Sequence, residues 1–215
     1  MKSDDLRISE IFYSLQGESK TVGLPTVFIR LTGCPLRCQY CDTSYAFSGG
    51  ETQSIASILE QVAQYKTDYI TVTGGEPLAQ PGCLELLKQL ADKDYSVSLE
   101  TSGAIDVSKV DTRIFKVIDL KTPASNEEHR NLYTNLQYLD SKDQLKFVIC
   151  NAEDYAWSKE KISQYQLDKK CEILFSPAMG QQDPTDLAEW VLADQLSVRF
   201  QVQLHKVLWG NIAGK

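Results

Sequence analysis

Seven β-rich runs, at residues 26–32, 69–73, 96–101, 115–121, 145–150, 171–176 and 199–205, alternate with stretches of helical spacing at 52–66, 81–93, 126–139, 152–166 and 184–196. A strand followed by a helix returns parallel to its predecessor, so the pattern predicts an α/β chain with a mostly parallel sheet. In the first helical stretch Ile55, Ile58, Leu59 and Val62 recur at i, i+3, i+4 and i+7, one helix face. Pro81 and Pro184 suit a first helical turn. Six or seven strands with fewer helices point to an incomplete (β/α) TIM-like barrel. At 215 residues one domain spanning 1–215 is expected. A strand-like segment at 8–18, broken at Gln16-Gly17-Glu18, is expected to lie across one end of the sheet.

In such barrels, functional groups collect where strands run out into loops at their carboxyl ends. Six strands deliver polar residues or glycines there: Gly33-Cys34, Gly74-Gly75-Glu76-Pro77, Glu100-Thr101-Ser102-Gly103, Lys121-Thr122-Pro123, Ser176-Pro177 and His205-Lys206. Convergence of six motifs on one rim says more than any single motif.

The first of these opens a cysteine triplet, Cys34, Cys38 and Cys41, spaced C-x3-C-x2-C. Structural zinc takes four ligands, and an ordinary [4Fe–4S] cluster takes four cysteines. Three thiolates leave a coordination position open for a substrate or cofactor, which makes the chain an enzyme. A zinc site completed by His129 or His205 is the alternative, although neither histidine lies near in sequence. Cys83, Cys150 and Cys171 read as buried small hydrophobes.

The formal charge of −7 argues against broad nucleic-acid binding, which needs a basic footprint. No apolar run follows residues 1–5 and none approaches membrane-spanning length, so neither a signal peptide nor a membrane span is expected. A reducing cytoplasm follows, where clustered cysteines are more often metal ligands than disulfides.

The cysteine triplet, with Tyr40 just before its last member, resembles the signature of the radical S-adenosylmethionine superfamily, and Gly74-Gly75-Glu76-Pro77 resembles that superfamily's GGEP element. The resemblance implies a [4Fe–4S] cluster on Cys34, Cys38 and Cys41, with S-adenosylmethionine chelating the fourth iron and cleaved to a 5′-deoxyadenosyl radical. It also implies cofactor contacts at Tyr40, Asp42, Gly75, Glu76, Glu100, Lys121, Ser125, Ser176, Pro177, Ala178 and Met179. Glycines allow close backbone approach, and Glu76 offers acceptors to an ammonium.

The blocks Phe12-Tyr13-Ser14-Leu15-Gln16-Gly17-Glu18 and Phe28-Ile29-Arg30-Leu31-Thr32-Gly33-Cys34 resemble the 7-carboxy-7-deazaguanine synthase family, as does essentially the whole length of the chain. That family converts 6-carboxy-5,6,7,8-tetrahydropterin to 7-carboxy-7-deazaguanine with loss of ammonia, in queuosine and 7-deazapurine biosynthesis. The resemblance implies Mg²⁺ on Thr43, a homodimer, a flavodoxin-like electron donor and no direct nucleic-acid contact. Substrate contacts fall at Leu15, Gln16, Gly17, Glu18, Arg30 and Thr73. Gln16 offers both amide donor and acceptor, and Arg30 a rigid fork for a carboxylate. No residue is singled out as acid or base, though His205 or Glu18 could serve. The carboxyl terminus of family members can reach the substrate pocket. A glycyl-radical activating enzyme shares the cysteine spacing, but a peptide substrate gives no reason for the Gln16, Arg30 and Thr43 set.

Overall fold

The computed structural model describes residues 5–212 and 214; residues 1–4, which bear on the signal-peptide expectation, lie outside them. Nine strands form one sheet: β1 (Asp5–Leu15), β2 (Pro25–Leu31), β3 (Glu51–Ser54), β4 (Tyr69–Gly74), β5 (Ser96–Thr101), β6 (Phe115–Asp119), β7 (Gln144–Ile149), β8 (Glu172–Pro177) and β9 (Arg199–Phe200). Their order is β3-β1-β2-β4-β5-β6-β7-β8-β9. From β2 to β9 every pairing is parallel. The helices are α1 (Ile55–Val62), α2 (Cys83–Asp92), α3 (Ala152–Tyr165), α4 (Pro184–Ala193) and α5 (Leu204–Trp209). No described helix is long and apolar enough to cross a membrane.

The sheet is strongly curled. Five strand spacings separate β1 from β7, about 24 Å if the sheet were flat. Yet the Lys20 N–H, just past β1, donates to Gln144 Oε1 on β7 at 2.8 Å. The two edge strands, β3 and β9, do not pair with each other. The start of α5 closes part of that gap, where Leu204 N–H donates to the Gly17 carbonyl at 2.9 Å. The result is an open, curled sheet rather than a closed barrel.

Side-chain alternation separates two environments. On β4, Ile70 and Val72 join the apolar core against the helices, whereas Thr73 turns to the concave face. On β7, Leu145, Phe147 and Ile149 enter the core, and Lys146 and Val148 face inward. Helix α1 buries Ile55, Ile58 and Val62, the face read from its spacing. Capping fixes where helices begin: Ser54 accepts from Ser57 N–H, Asn151 from Asp154 N–H, and Asp183 from Thr185 and Asp186 N–H ahead of Pro184. Phe147 is fully buried with edge contacts to Trp157 and Phe175. Phe147→Ala should cost about 3–5 kcal/mol in chemical denaturation, as a large cavity in the core does.

Three local expectations are corrected. Segment 8–18 does not lie across an end of the sheet; β1 pairs antiparallel with β2. The connection is a hairpin, because Gln16 and Gly23–Leu24 exchange backbone hydrogen bonds. Stretch 126–139 is not an α-helix but holds two 3₁₀ segments, Glu128–Arg130 and Tyr133–Tyr138. Its asparagines bond backbone instead: Asn131 to both backbone groups of Lys121, and Asn135 to the Gly103 and Ile105 carbonyls. In 199–205 only Arg199–Phe200 is strand, and α5 begins at Leu204.

Candidate active site

The concave face opens into a cavity of about 650 Å³. Its wall includes all three clustered cysteines, the loop after β1, the ends of β2, β4, β5, β6 and β8, and the carboxyl-terminal segment including Gly210, Asn211 and Ile212. Of the expected residues, Leu15, Gln16, Gly17, Glu18, Arg30, Tyr40, Asp42, Thr43, Thr73, Gly75, Glu100, Lys121, Ser176, Pro177, Ala178 and Met179 also line it. His205 and Lys206 reach the same cavity from α5 rather than from a strand.

The cysteine loop is held by its neighbours. Glu76 N–H donates to the Gly33 carbonyl at 2.8 Å and Gly75 N–H to that of Leu31 at 3.1 Å. A Cβ on Gly75 would lie 2.3 Å from Gly33 O and 2.8 Å from Cys34 Cβ. Only glycine permits that approach, so the strand ends of β2 and β4 dock backbone to backbone. Arg37 Nη1 donates to the Cys34 carbonyl at 2.8 Å, and Gln39 N–H to that of Ser125 at 3.2 Å.

Cys34, Cys38 and Cys41 are free and partly exposed. Burial raises the Cys34 thiol above its ordinary range and pushes Cys38 up to about 11, against the pull of the Lys121 charge. Bound iron would reverse that order, because a coordinated thiol is deprotonated. Among the described residues no three Cys, His, Asp or Glu side chains gather closely enough for one metal ion. A single zinc needs its thiolates about 2.3 Å from one point, whereas a cluster takes each cysteine on a different iron. Spaced thiols around one cavity therefore fit the cluster. Two buried oxygens of residues in the wall, Tyr40 Oη and Asp119 Oδ1, have no hydrogen-bond partner among the described residues, which fits a polar group bound beside them.

The substrate side is a polar lattice. Gln16 Nε2 donates to Thr71 Oγ1 at 2.9 Å and Glu100 Oε1 at 3.4 Å, while its Oε1 accepts from Glu18 N–H at 3.1 Å. Thr73 Oγ1 donates to Glu100 Oε2 at 3.1 Å. Burial raises the Glu100 carboxyl above the usual range, and the Glu18 charge adds to this. Arg30 Nε contacts Glu10 at 2.7 Å, and its guanidinium stacks near Phe12 and Tyr45.

A mixed-charge line crosses the cavity. Lys121 lies 3.0 Å from Asp119 and 5.8 Å from the Tyr40 ring centroid. Lys146 lies 3.5 Å from Asp119 and 2.8 Å from Glu18. Burial opposes the Lys146 charge, but Glu18 and Asp119 overcome it and hold the ammonium protonated. Lys146 escaped the sequence reading because β7 carries no motif. Its signal is a lysine on the polar side of the alternation Leu145, Phe147, Ile149.

A sequence profile of the Radical SAM superfamily matches residues 28–163. A 7-carboxy-7-deazaguanine synthase of Chlorobaculum tepidum is 43% identical over 95% of this chain and 94% of its own. One of Koribacter versatilis is 39% identical, covering 95% of this chain and 97% of its own. The chain belongs to the 7-carboxy-7-deazaguanine synthases, within the radical SAM superfamily. The crystal structure of QueE from Escherichia coli superposes with a TM-score of 0.77, at 24% identity over 94% of this chain and 95% of that one, and shares its fold.

Two residues expected at the synthase cofactor site do not face the cavity. Glu76 is fully buried, and its carboxylate accepts from Thr101 Oγ1, Ser102 N–H, Ser102 Oγ and Leu78 N–H. It ties the loop after β4 to the carboxyl end of β5, and these donors occupy its carboxylate. Ser125 is also fully buried; its hydroxyl donates to the Thr122 carbonyl and accepts from Glu127 N–H. Its backbone carbonyl accepts from Gln39 N–H in the cysteine loop. In both cases the side chain points away from the cavity.

Proposed function

We propose that this protein contracts 6-carboxy-5,6,7,8-tetrahydropterin to 7-carboxy-7-deazaguanine with release of ammonia. The observation that carries the reading is the meeting, in one cavity, of three unpaired thiols with Gln16, Arg30, Thr73 and Glu100. Family membership over nearly the whole chain supports it.

Cys34, Cys38 and Cys41 would hold the [4Fe–4S] cluster. When bound, the cluster and S-adenosylmethionine together supply a 5′-deoxyadenosyl radical that abstracts a hydrogen atom from substrate. The Gly75 backbone, Lys121, Glu100 and Ser176–Met179 would bind the cofactor, and Tyr40 and Asp42 flank it. Lys121 brings a positive charge to the cofactor carboxylate, while the Asp119 contact keeps that charge aimed into the cavity. Arg30 turns its remaining guanidinium nitrogens to the substrate carboxylate, its Nε being fixed by Glu10. Gln16, Glu18 and Thr73 orient the pterin edge, with Leu15 and Gly17 contributing backbone. With Glu100 held toward its neutral form, the polar lattice around Gln16 carries less negative charge against the substrate.

Mg²⁺ belongs to the proposal through Thr43, whose Oγ1 lines the cavity 3.8 Å from Cys41 Sγ. One protein oxygen suits an ion that keeps waters and takes substrate oxygens. Thr43→Ala should raise the Mg²⁺ concentration for half-maximal activity about tenfold with iron content unchanged. An unaltered Mg²⁺ response would remove Thr43 as a ligand.

The reading includes one domain, a homodimer, a flavodoxin-like electron donor and a cytoplasmic setting. All six cysteines are free, in keeping with a reducing compartment. Consumption of the tetrahydropterin with one ammonia released per molecule tests the reaction. A protein that instead installs a radical on a peptide glycine would be an activating enzyme.

A further inference from the structure

Radical chemistry requires substrate and cofactor to be held at one separation, and here two different loops do the holding. Residues 16–18 follow β1 on the substrate side; residues 41–43 end the cysteine loop. Residues 203–206 touch both. Gln203 Nε2 has two N–H groups, one donated to Glu18 Oε1 at 2.7 Å and the other to Asp42 Oδ2 at 3.1 Å. Lys206 adds a second contact to Asp42 at 2.7 Å. Leu204 N–H donates to the Gly17 carbonyl at 2.9 Å. The seat is tight: a Cβ on Gly17 would lie 2.1 Å from His205 Nδ1 and 3.1 Å from its backbone nitrogen.

The choice of glutamine has a chemical reason. Glu18 and Asp42 are both carboxylates, and the Asp42 charge works against ionisation of Glu18, which Lys146 and Gln203 favour. A primary amide donates to two carboxylates from one nitrogen and brings no charge of its own. An apolar residue would break the link: Glu18 would keep only Lys146 and Asp42 only Lys206, with nothing joining the two carboxylates. Glutamate would add a third negative charge.

We propose that Gln203 is a positioning residue that splints the substrate loop to the cluster loop through Glu18 and Asp42. The inference rests on the function proposed above. Its consequence is coupling. With the splint intact, each cofactor cleavage leads to ring contraction; without it, the substrate sits out of place and cleavage becomes abortive.

The test compares Gln203→Leu and Gln203→Glu with the wild type, all as reconstituted enzyme. Coupling is read as 7-carboxy-7-deazaguanine formed per 5′-deoxyadenosine accumulated. We expect it to fall about tenfold in Gln203→Glu and by less in Gln203→Leu, a smaller effect than the roughly hundredfold that a misplacement of about 1 Å can cost. Affinity for S-adenosylmethionine should stay near that of wild type. Amide hydrogen exchange at Leu204, measured without substrate, should quicken in both variants. Lys206→Met keeps Gln203 and removes one contact to Asp42, so it should move coupling in the same direction even if the Gln203 variants fold poorly. Wild-type coupling in all variants that fold overturns the inference. A wild type that makes no deazaguanine overturns the proposed reaction instead, and the exchange at Leu204 then decides the splint: unchanged exchange overturns it.

Discussion

Cys38→Ala should give a folded protein that binds little iron and makes no product. Cys38 sits on a partly exposed loop outside the apolar core, so its truncation should change thermal stability by less than about 1 kcal/mol. Its thiol nevertheless faces the cavity beside Lys121, where burial keeps it protonated until metal displaces the proton. Losing one of three thiolates leaves a second iron without a protein ligand. Iron content and the broad visible absorbance of the reconstituted protein read the cluster directly, separately from turnover. Activity retained with a normal cluster spectrum would show that Cys38 is not a ligand.

Gly75→Ala should be nearly as damaging, although it removes no functional group. The new methyl would meet Gly33 O at 2.3 Å, Gly33 C at 2.7 Å and Cys34 Cβ at 2.8 Å. Two of those atoms are backbone and have no rotamer to yield. The Gly75–Leu31 and Glu76–Gly33 hydrogen bonds would have to lengthen, pulling the cysteine loop away from β4. The core side of β4, Ile70 and Val72, is untouched, so the fold should survive. Displacement of about 1 Å at the junction predicts a loss of S-adenosylmethionine affinity or turnover of about a hundredfold. Equilibrium binding on the reconstituted protein checks this; wild-type affinity would mean that the β2–β4 junction does not shape the cofactor site.

Much of this site is legible without coordinates because strand alternation and parallel topology do the sorting. Residues at the carboxyl ends of β2, β4, β5, β6 and β8 must share a rim, and glycines beside cysteines mark a close backbone approach. What sequence alone does not give is the direction of a side chain within a motif. Glu76 follows two glycines at the rim, yet four protein donors claim its carboxylate before any ligand can. Ser125 turns back into its own 3₁₀ turn. Charge networks are hidden for a different reason: Lys146 meets Glu18 across 128 positions of sequence, a contact that exists only because the sheet curls. Segment 199–205 reads as strand because Phe200, Val202 and Leu204 alternate, yet the strand ends at Phe200 and helix α5 begins at Leu204. Nor does a run with helical length exclude the 3₁₀ turns of 126–139, where Asn131 and Asn135 spend their amides on distant backbone.

The most direct measurement is anaerobic turnover of the reconstituted protein with reductant, S-adenosylmethionine, Mg²⁺ and 6-carboxytetrahydropterin, followed by mass spectrometry of the products. The expected result is 7-carboxy-7-deazaguanine, formed from the pterin with one ammonia released per molecule. A protein that carries a well-formed [4Fe–4S] cluster, cleaves S-adenosylmethionine and yet yields no deazaguanine would contradict the assignment.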